Sequence, residues 1–421
     1  MKNDLTPIRQ NESQNFYLWV QIYKLITCMR TLRKISRLVV GLVLIFSGFV
    51  KGIDPLGSAY KFQDYFTAFG LDFLDPMAMP LGVFLSTFEF VLGAALVLNI
   101  RTRITSWVVL VFMGFFTLLT LYLAIENPVH DCGCFGDAIV MTNWQTFWKN
   151  VIIMAFVAII FIQRGHNKDV YSRIQQWGLL TSTTVIMLAF TFYSYHHLPI
   201  LDFRPYNEGT HIPSKMEIPE DAPQPEYKTI LKYKKEGKIR EFTVDSLPDS
   251  TWQWVETENI QISKGYTPPI EGFSITTLDG SDITDIVLNE ENYTFLLIAY
   301  NLKKANQSDL EEIKKLSGLC RNNNQCQFIA LTASTESYIQ KFKDATGVQF
   351  PFYQTDEITL KTIIRSNPGL MLLKEGTILE KWHHNDTPAP REIRLDFLGK
   401  DSRKNKKKPR DEQETDEELP S

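Results

Sequence analysis

The sequence predicts a helical transmembrane bundle followed by an α/β domain. Before about residue 200 the chain has five apolar runs of the length needed to cross a bilayer. From residue 270 onward, short β-branched and aromatic runs alternate with helical stretches, as in an α/β layer. The formal net charge of −4 over 421 residues is weak and indicates no nucleic-acid partner.

Five membrane spans are predicted, and the first four form one four-helix domain over residues 37–165. The fifth lies in the segment 166–198. The predicted bounds are 38–53, 80–98, 104–125, 144–162 and 177–195. Because the first run is short, its Lys51 is expected to extend its ammonium group to the membrane interface.

Basic residues are distributed unevenly between the two sides of this bundle. Twelve Lys and Arg flank one side: Lys2, Arg9, Lys24, Arg30, Arg33, Lys34, Arg37, Arg101, Arg103, Arg164, Lys168 and Arg173. The other side has three: Lys51, Lys61 and Lys149. The positive-inside rule then predicts a multi-pass protein of the inner (cytoplasmic) membrane, with a cytoplasmic N-terminal segment over 1–36. Five crossings place everything after about residue 197 in the periplasm or another extracytoplasmic space.

The parts outside the bundle differ in composition. Residues 199–269 indicate an extracytoplasmic linker with a β-hairpin that turns at "KEGK", and residues 270–398 form the α/β domain. The tail 399–421 is too charged to bury a core, and disorder is expected there. Translation from Met1 and from Met29 are equally compatible with a basic flank before the first helix.

The segment "DCGCFGD" places Cys132 and Cys134 one residue apart in the predicted outer loop between the third and fourth spans. Gly133 supplies the backbone freedom that such a tight pair needs. A disulfide in so small a ring would be strained and easily reduced, which suits redox exchange better than stapling a fold. If it exchanges, a Cys134→Ser variant is expected to leave Cys132 able to capture a partner protein.

Two alternatives to a redox pair remain open for this loop. The thiols could be passive, or they could bind a metal together with His130 and Asp137. The single intervening residue disfavours tetrahedral zinc but is compatible with a soft ion such as Cu(I).

Glu89 is the one carboxylate near the middle of a predicted span, which makes it a tentative catalytic residue. Lys51, Ser47 and Ser86 are its candidate partners. A protonated glutamate that only serves packing is the alternative.

Two family resemblances follow from these segments. Residues 36–165 resemble the DoxX-like membrane proteins and, more specifically, the methylamine-utilisation MauE family, by "GLVLIFSGFVKGIDP", "STFEFVLGAALVL" and "DCGCFGD". This resemblance implies a role in maturing a disulfide-containing extracytoplasmic enzyme alongside a thioredoxin-like protein. The α/β domain resembles a membrane-anchored thioredoxin-like domain by "NPGLMLLKEG", which implies a cis-proline at Pro368. The active cysteines of that fold would fall in residues 301–308, where this chain has no sulfur.

Two further cysteines lie in the α/β domain. Cys320 and Cys326 flank a polar turn and are a candidate structural disulfide. The sequence favours a thiol-redox or disulfide-maturation component that uses Cys132 and Cys134, in contact with lipid and an extracytoplasmic protein. A membrane-anchored assembly scaffold and a metal-handling protein are the alternatives, and whether the chain is an enzyme stays open. No motif identifies an electron acceptor, for which a quinone in the bundle is one candidate.

Overall fold

The computed structural model describes residues 6–129, 131–166, 170–224, 226–235, 237–244, 246–263 and 265–398. The chain divides into two compact units, with the boundary between Arg204 and Pro205. The predicted disordered tail and His130 lie outside the described residues.

The first unit is entirely helical. Its helices are α1 (Thr6–Ile53), α2 (Pro55–Ala68), α3 (Ala78–Val97), α4 (Thr102–Glu126), α5 (Asn143–Ile162) and α6 (Arg173–His196). Short 3-10 turns occupy Asp72–Met77 and Arg164–His166. Within the described residues, five helical segments are long and apolar enough to cross a membrane: Thr27–Ile53, Asp72–Val97, Thr102–Glu126, Asn143–Ile162 and Arg173–His196.

Helices α1, α3, α4 and α5 share one apolar core. It contains the buried side chains Val40, Leu44, Leu92, Leu96, Val109, Met113, Ile153, Val157 and Ile160. Glycines let α1 and α3 approach closely: a Cβ on Gly48 would lie 2.5 Å from the carbonyl oxygen of Ser86, and one on Gly93 would lie 2.6 Å from that of Gly41. The two backbones are therefore in direct contact.

One helix of this unit has no counterpart among the predicted elements. Helix α2 follows α1 directly because Asp54 caps it, accepting a 2.8 Å hydrogen bond from the Gly57 amide, and Pro55 suits its first turn. Its apolar residues pack with the start of α3 in a small separate cluster of Ala59, Phe66 and Ala78. The expectation for Lys51 is wrong, because its side chain is buried inside the bundle instead of reaching outward.

The second unit begins with a short helix and a small sheet. These are α7 (Ile212–Met216), β1 (Glu226–Lys235), β2 (Lys238–Thr243) and β3 (Gln253–Ser263). Strand β1 pairs antiparallel with both neighbours, in the order β2-β1-β3. The turn between β1 and β2 contains Gly237 with φ of +80°, at the position of the predicted hairpin.

The rest of the second unit is an α/β domain. Its elements are α8 (Thr284–Leu288), β4 (Tyr293–Ile298), α9 (Leu310–Arg321), β5 (Cys326–Thr332), α10 (Glu336–Thr346), β6 (Phe352–Gln354), α11 (Glu357–Ile363), β7 (Gly369–Lys374), β8 (Thr377–His383) and α12 (Pro390–Ile393). The sheet order is β6-β5-β4-β7-β8. Strands β4, β5 and β6 are parallel, whereas β7 and β8 are an antiparallel hairpin. The Asn367–Pro368 peptide before β7 is cis. This arrangement is a thioredoxin-like fold, and the predicted fold class is confirmed.

Candidate functional site

The cysteine loop, residues 127–142, connects α4 to α5 and is anchored at its beginning by Asn143. The side-chain amide of Asn143 donates to Asn127 Oδ1 at 2.9 Å and to the carbonyl of Val129 at 2.8 Å. Asn127 itself has φ of +48°, a conformation that asparagine tolerates better than most residues. The chain therefore leaves α4 through a fixed turn before it reaches the cysteines.

Cys132 and Cys134 are free thiols whose sulfur atoms lie 3.2 Å apart. The turn that brings them together depends on Gly133, whose φ of +67° falls in the left-handed region that favours glycine. Asp131 Oδ2 accepts a 3.0 Å hydrogen bond from the Gly133 amide, and the Gly136 amide donates to the Gly133 carbonyl at 3.2 Å. The sulfur pair is thus held by local backbone geometry.

Helix α2 covers one side of this turn. Lys61 Nζ forms a 2.6 Å ion pair with Asp131, and the Tyr65 hydroxyl donates to the carbonyl of Cys132 at 3.0 Å. The Lys61 side chain also runs past Gly133, since a Cβ there would lie 3.1 Å from Lys61 Cγ. The helix that the sequence did not predict therefore supplies two of the loop's contacts.

Helices α1 and α5 hold the second half of the turn. Phe135 packs edge-on against Phe46 with ring centroids 5.4 Å apart, and Lys149 Nζ lies 4.4 Å from the Phe135 ring centroid. The Ser47 hydroxyl lies 2.7 Å from the carbonyl oxygen of Cys134. The loop is thus in contact with three helices of the bundle.

The two thiols have different electrostatic surroundings. The hydrogen bond from Cys132 lowers the pKa of Cys134 to about 6; burial opposes this shift, whereas the cations of Lys149 and Lys51 favour it. The same hydrogen bond, together with burial, raises the pKa of Cys132 well above its ordinary value. Burial is also the main cause that raises the pKa of Tyr65, so its phenol stays protonated. These opposite shifts favour the thiolate at Cys134 and the protonated thiol at Cys132 in the reduced pair.

Glu89 lies on α3 and is only 4% exposed. Lys51 Nζ contacts both carboxylate oxygens, at 2.8 and 2.7 Å, and the Ser47 hydroxyl lies 2.8 Å from Oε2. Ser86, the third candidate partner, instead donates to the carbonyl of Val83 in its own helix at 3.0 Å. The intramembrane carboxylate and the cysteine loop therefore share one neighbour, Ser47.

The alternative metal site includes His130, which the structure does not describe. Among the described residues, no three His, Cys, Asp or Glu side chains are grouped so that they could hold a metal ion. The structure therefore brings Cys132 and Cys134 together but gives no position for His130.

The thioredoxin-like domain has no sulfur at the end of β4, where residues 301–308 form the loop before α9. Amide groups tie this loop to the cis-proline turn. Asn367 Nδ2 donates to the Asn301 carbonyl at 2.9 Å, and the Asn306 amide donates to the Asn367 carbonyl at 2.8 Å. The two cysteines of this domain, Cys320 and Cys326, form a buried disulfide at the other end of α9.

The charged and phenolic groups around the cysteine pair were not among the sequence-based candidates: Lys61, Tyr65, Asp131 and Lys149. Asp131 adjoins the cysteines, so proximity could have suggested it. Lys61 and Tyr65 are on a helix without a strong apolar run, and nothing in their spacing indicates that they reach a loop some 70 residues away.

Comparisons with known proteins agree with this architecture. Residues 29–163 match the family model for methylamine utilisation protein MauE, and residues 227–264, which span the small sheet, match a domain of unknown function, DUF8463. Comparison with curated proteins gives no match. The chain is therefore a multi-pass membrane protein in which a MauE-like segment is joined to a thioredoxin-like domain.

Solved structures similar to the chain come from three bacteria. A putative protein disulfide isomerase from Bacteroides thetaiotaomicron is 19% identical over 32% of this chain and 84% of its own, with a TM-score of 0.23. A secreted Mycobacterium tuberculosis disulfide oxidoreductase is 16% identical over 30% and 91%, with a TM-score of 0.23. Xylella fastidiosa PrxQ is 12% identical over 31% and 88%, with a TM-score of 0.22. Likenesses this weak carry no conclusion about activity.

Proposed function

We propose that this chain is an inner-membrane protein that exchanges disulfides with an extracytoplasmic protein through Cys132 and Cys134. The observation that carries the proposal is the pair of free sulfurs 3.2 Å apart in a loop held by three helices. An approach of about 1 Å brings two such sulfurs to bonding distance. The pair can therefore pass between dithiol and disulfide with little movement of the bundle.

The exchange has two steps. The Cys134 thiolate attacks one sulfur of a partner disulfide, which forms a Cys134–partner bond and releases the other partner sulfur as a thiolate. The Cys132 thiol then gives up its proton and attacks Cys134 Sγ, which forms the Cys132–Cys134 disulfide and releases the second partner thiolate. Two electrons pass from the pair to the partner. The reverse sequence uses the same bonds to oxidise a partner dithiol.

Cys134 is the residue that bonds the partner, for two reasons. It is the thiol with the lowered pKa, and Cys134 as a whole residue is more exposed than Cys132. This reverses the expectation from the sequence, in which Cys132 captures the partner. The sequence contains nothing that distinguishes the two sulfurs, because the cations near Cys134 come from α1 and α5.

The thioredoxin-like domain serves recognition in this proposal, not electron transfer. Its loop at residues 301–308 has no sulfur, and Asn367 before the cis-proline donates to the Asn301 carbonyl and accepts from the Asn306 amide. The excess of Lys and Arg in the segments on one side of the spans supports a cytoplasmic N-terminus. This topology puts the cysteine loop and the thioredoxin-like domain on the same, extracytoplasmic side.

Trapping in cells tests the exchange. In a Cys28→Ser background, Cys132→Ser should accumulate a reductant-sensitive adduct with an extracytoplasmic protein, because no second thiol resolves the Cys134 bond. The matched variant Cys134→Ser should form less of this adduct, and the double variant none. The adduct is identified by mass spectrometry after quenching with acid and alkylation.

Three results would overturn this function or replace it. Equal amounts of protein without any adduct in both single variants would remove the exchange. A partner that co-purifies with both variants without a covalent bond would favour the scaffold. Copper or zinc that is lost from both variants and from His130→Ala would favour metal handling.

A further inference from the structure

A buried cluster of three polar side chains contacts the cysteine loop through Ser47. Lys51 and Ser47 belong to α1, and Glu89 belongs to α3. Lys51 is 9% exposed and Glu89 is 4% exposed. Two opposite charges are thus held inside the bundle, at a depth where each would be costly alone.

Stability alone is a weak explanation for this ion pair. Removing two charges from water costs about as much as their attraction returns, and apolar residues of the same volume often stabilise a protein equally well. What distinguishes the ion pair from a packing device is its connection to the cysteine loop.

That connection is the Ser47 hydroxyl. Its single hydrogen can go to Glu89 Oε2 at 2.8 Å or to the Cys134 carbonyl at 2.7 Å, and its oxygen accepts from Lys51 Nζ at 3.0 Å. One side chain therefore touches the cation, the anion and the backbone of the reactive cysteine. Through Ser47, the ion pair is therefore one side chain away from the backbone of Cys134.

We propose that Lys51 and Glu89 are positioning residues for Cys134, in which Lys51 stabilises the thiolate and Glu89 stays as the counter-ion of Lys51 when the disulfide forms. The inference rests on the exchange proposed above. In the reduced state the Lys51 cation stabilises two anions, Glu89, which it contacts, and the Cys134 thiolate. Disulfide formation removes the thiolate charge, and the carboxylate then balances the lysine alone.

The charges around Cys134 agree with these two roles of Lys51 and Glu89. Lys51 and Lys149 favour its thiolate, and Glu89 opposes it. On the α2 side, Lys61 is already paired with Asp131 and the Tyr65 phenol is neutral. Lys51 and Glu89 therefore act on the thiol with opposite signs, although they bond each other.

Because the two residues act with opposite signs, their substitution should shift the pKa of Cys134 in opposite directions, which a purely structural role would not do. In full-length protein with Cys28→Ser and Cys132→Ser, the rate of iodoacetamide alkylation at Cys134 is followed against pH by mass spectrometry. Glu89→Gln should shift the midpoint to lower pH and Lys51→Met to higher pH, each by roughly one unit. Ser86→Ala removes a buried hydroxyl on the same helix that bonds only its own turn, and it should leave the midpoint unchanged.

A double variant keeps the test sharp if the single changes impair folding. Lys51→Met with Glu89→Leu removes both charges together, which the bundle should tolerate, and the midpoint should return close to the parent value. Shifts of the same sign in the two single variants, or no shift in either, would overturn the inference even where trapping succeeds. Opposite shifts with no trapped partner would keep these roles and remove the exchange.

Discussion

The Gly133→Ala variant measures how much the left-handed turn contributes to the sulfur pair. Gly133 has φ of +67°, and an L-residue pays about 1–2 kcal/mol for that conformation. The added Cβ would also lie 3.1 Å from Lys61 Cγ and 3.3 Å from Cδ. Because that lysine is flexible, the steric part is small and the backbone cost dominates.

This cost should appear as a weaker tendency of the two sulfurs to bond each other. A penalty of about 1–2 kcal/mol corresponds to a roughly 5- to 30-fold loss. The reduced pair adopts this conformation too, so the equilibrium between the dithiol and the Cys132–Cys134 disulfide moves toward the dithiol to the extent that the reduced loop relaxes the turn, and that factor is the upper limit of the shift. The measurement equilibrates full-length protein with glutathione buffers and reads the oxidised fraction by alkylation mass shift.

Gly70→Ala is the matched control. Gly70 has the same φ of +67°, no atom lies within 4 Å of its added Cβ, and it is distant in sequence from the cysteines. It should cost similar stability without changing the dithiol–disulfide equilibrium. An unchanged equilibrium in Gly133→Ala, or an equal shift in Gly70→Ala, would refute the role assigned to the turn.

Three further predictions concern topology, stability and pH. Reporter fusions after Arg173 should score cytoplasmic and those after Lys234 extracytoplasmic, and an internal score at Lys234 would contradict five crossings. Replacing Cys320 and Cys326 together by serine should lower the unfolding free energy by roughly 2 kcal/mol through lost loop closure, read by thermal melts, while Cys132→Ser trapping stays unchanged. Because the pKa of Cys134 is lowered to about 6, its alkylation in the otherwise native reduced pair should be nearly constant above pH 7 and fall as pH drops through 6. A fall that begins near pH 9 would contradict the thiolate assignment.

The class of fold follows from the sequence because its patterns are long and repetitive. Bilayer-length apolar runs and an alternation of strands and helices suffice for a helical bundle and an α/β layer. Strand β3 was missed because "WVETENIQIS" alternates polar and apolar residues too weakly. Helix α2 was missed for a similar reason, since "PLGSAYKFQDYFTA" is amphipathic and shorter than a span.

The candidate site could be predicted only where a residue is unusual in its own segment. Two close thiols and a carboxylate inside an apolar run are such cases, and both Cys132 and Glu89 lie near the centre of the polar contacts described above. Their neighbours come from helices whose mutual depth and rotation depend on packing at Gly48 and Gly93, which no local pattern encodes. Lys51 shows both sides of this limit: it was a candidate partner of Glu89, which the structure confirms, but the short apolar run also predicted an outward side chain, which its burial contradicts.

The two proposals together give each unit of the chain one task. The membrane unit contains the free thiol pair, along with the charges that adjust its reactivity, so it can carry the chemistry without help from a second redox domain. The thioredoxin-like domain contains a closed disulfide and an asparagine-lined turn where cysteines would otherwise lie. A binding domain in the same chain as a reactive pair raises the local concentration of whatever it binds, which increases the rate of exchange without new contacts at the sulfurs. The absence of cysteine at residues 301–308 is consistent with this task, because a second thiol pair near a captured partner would compete with Cys132 for the mixed disulfide.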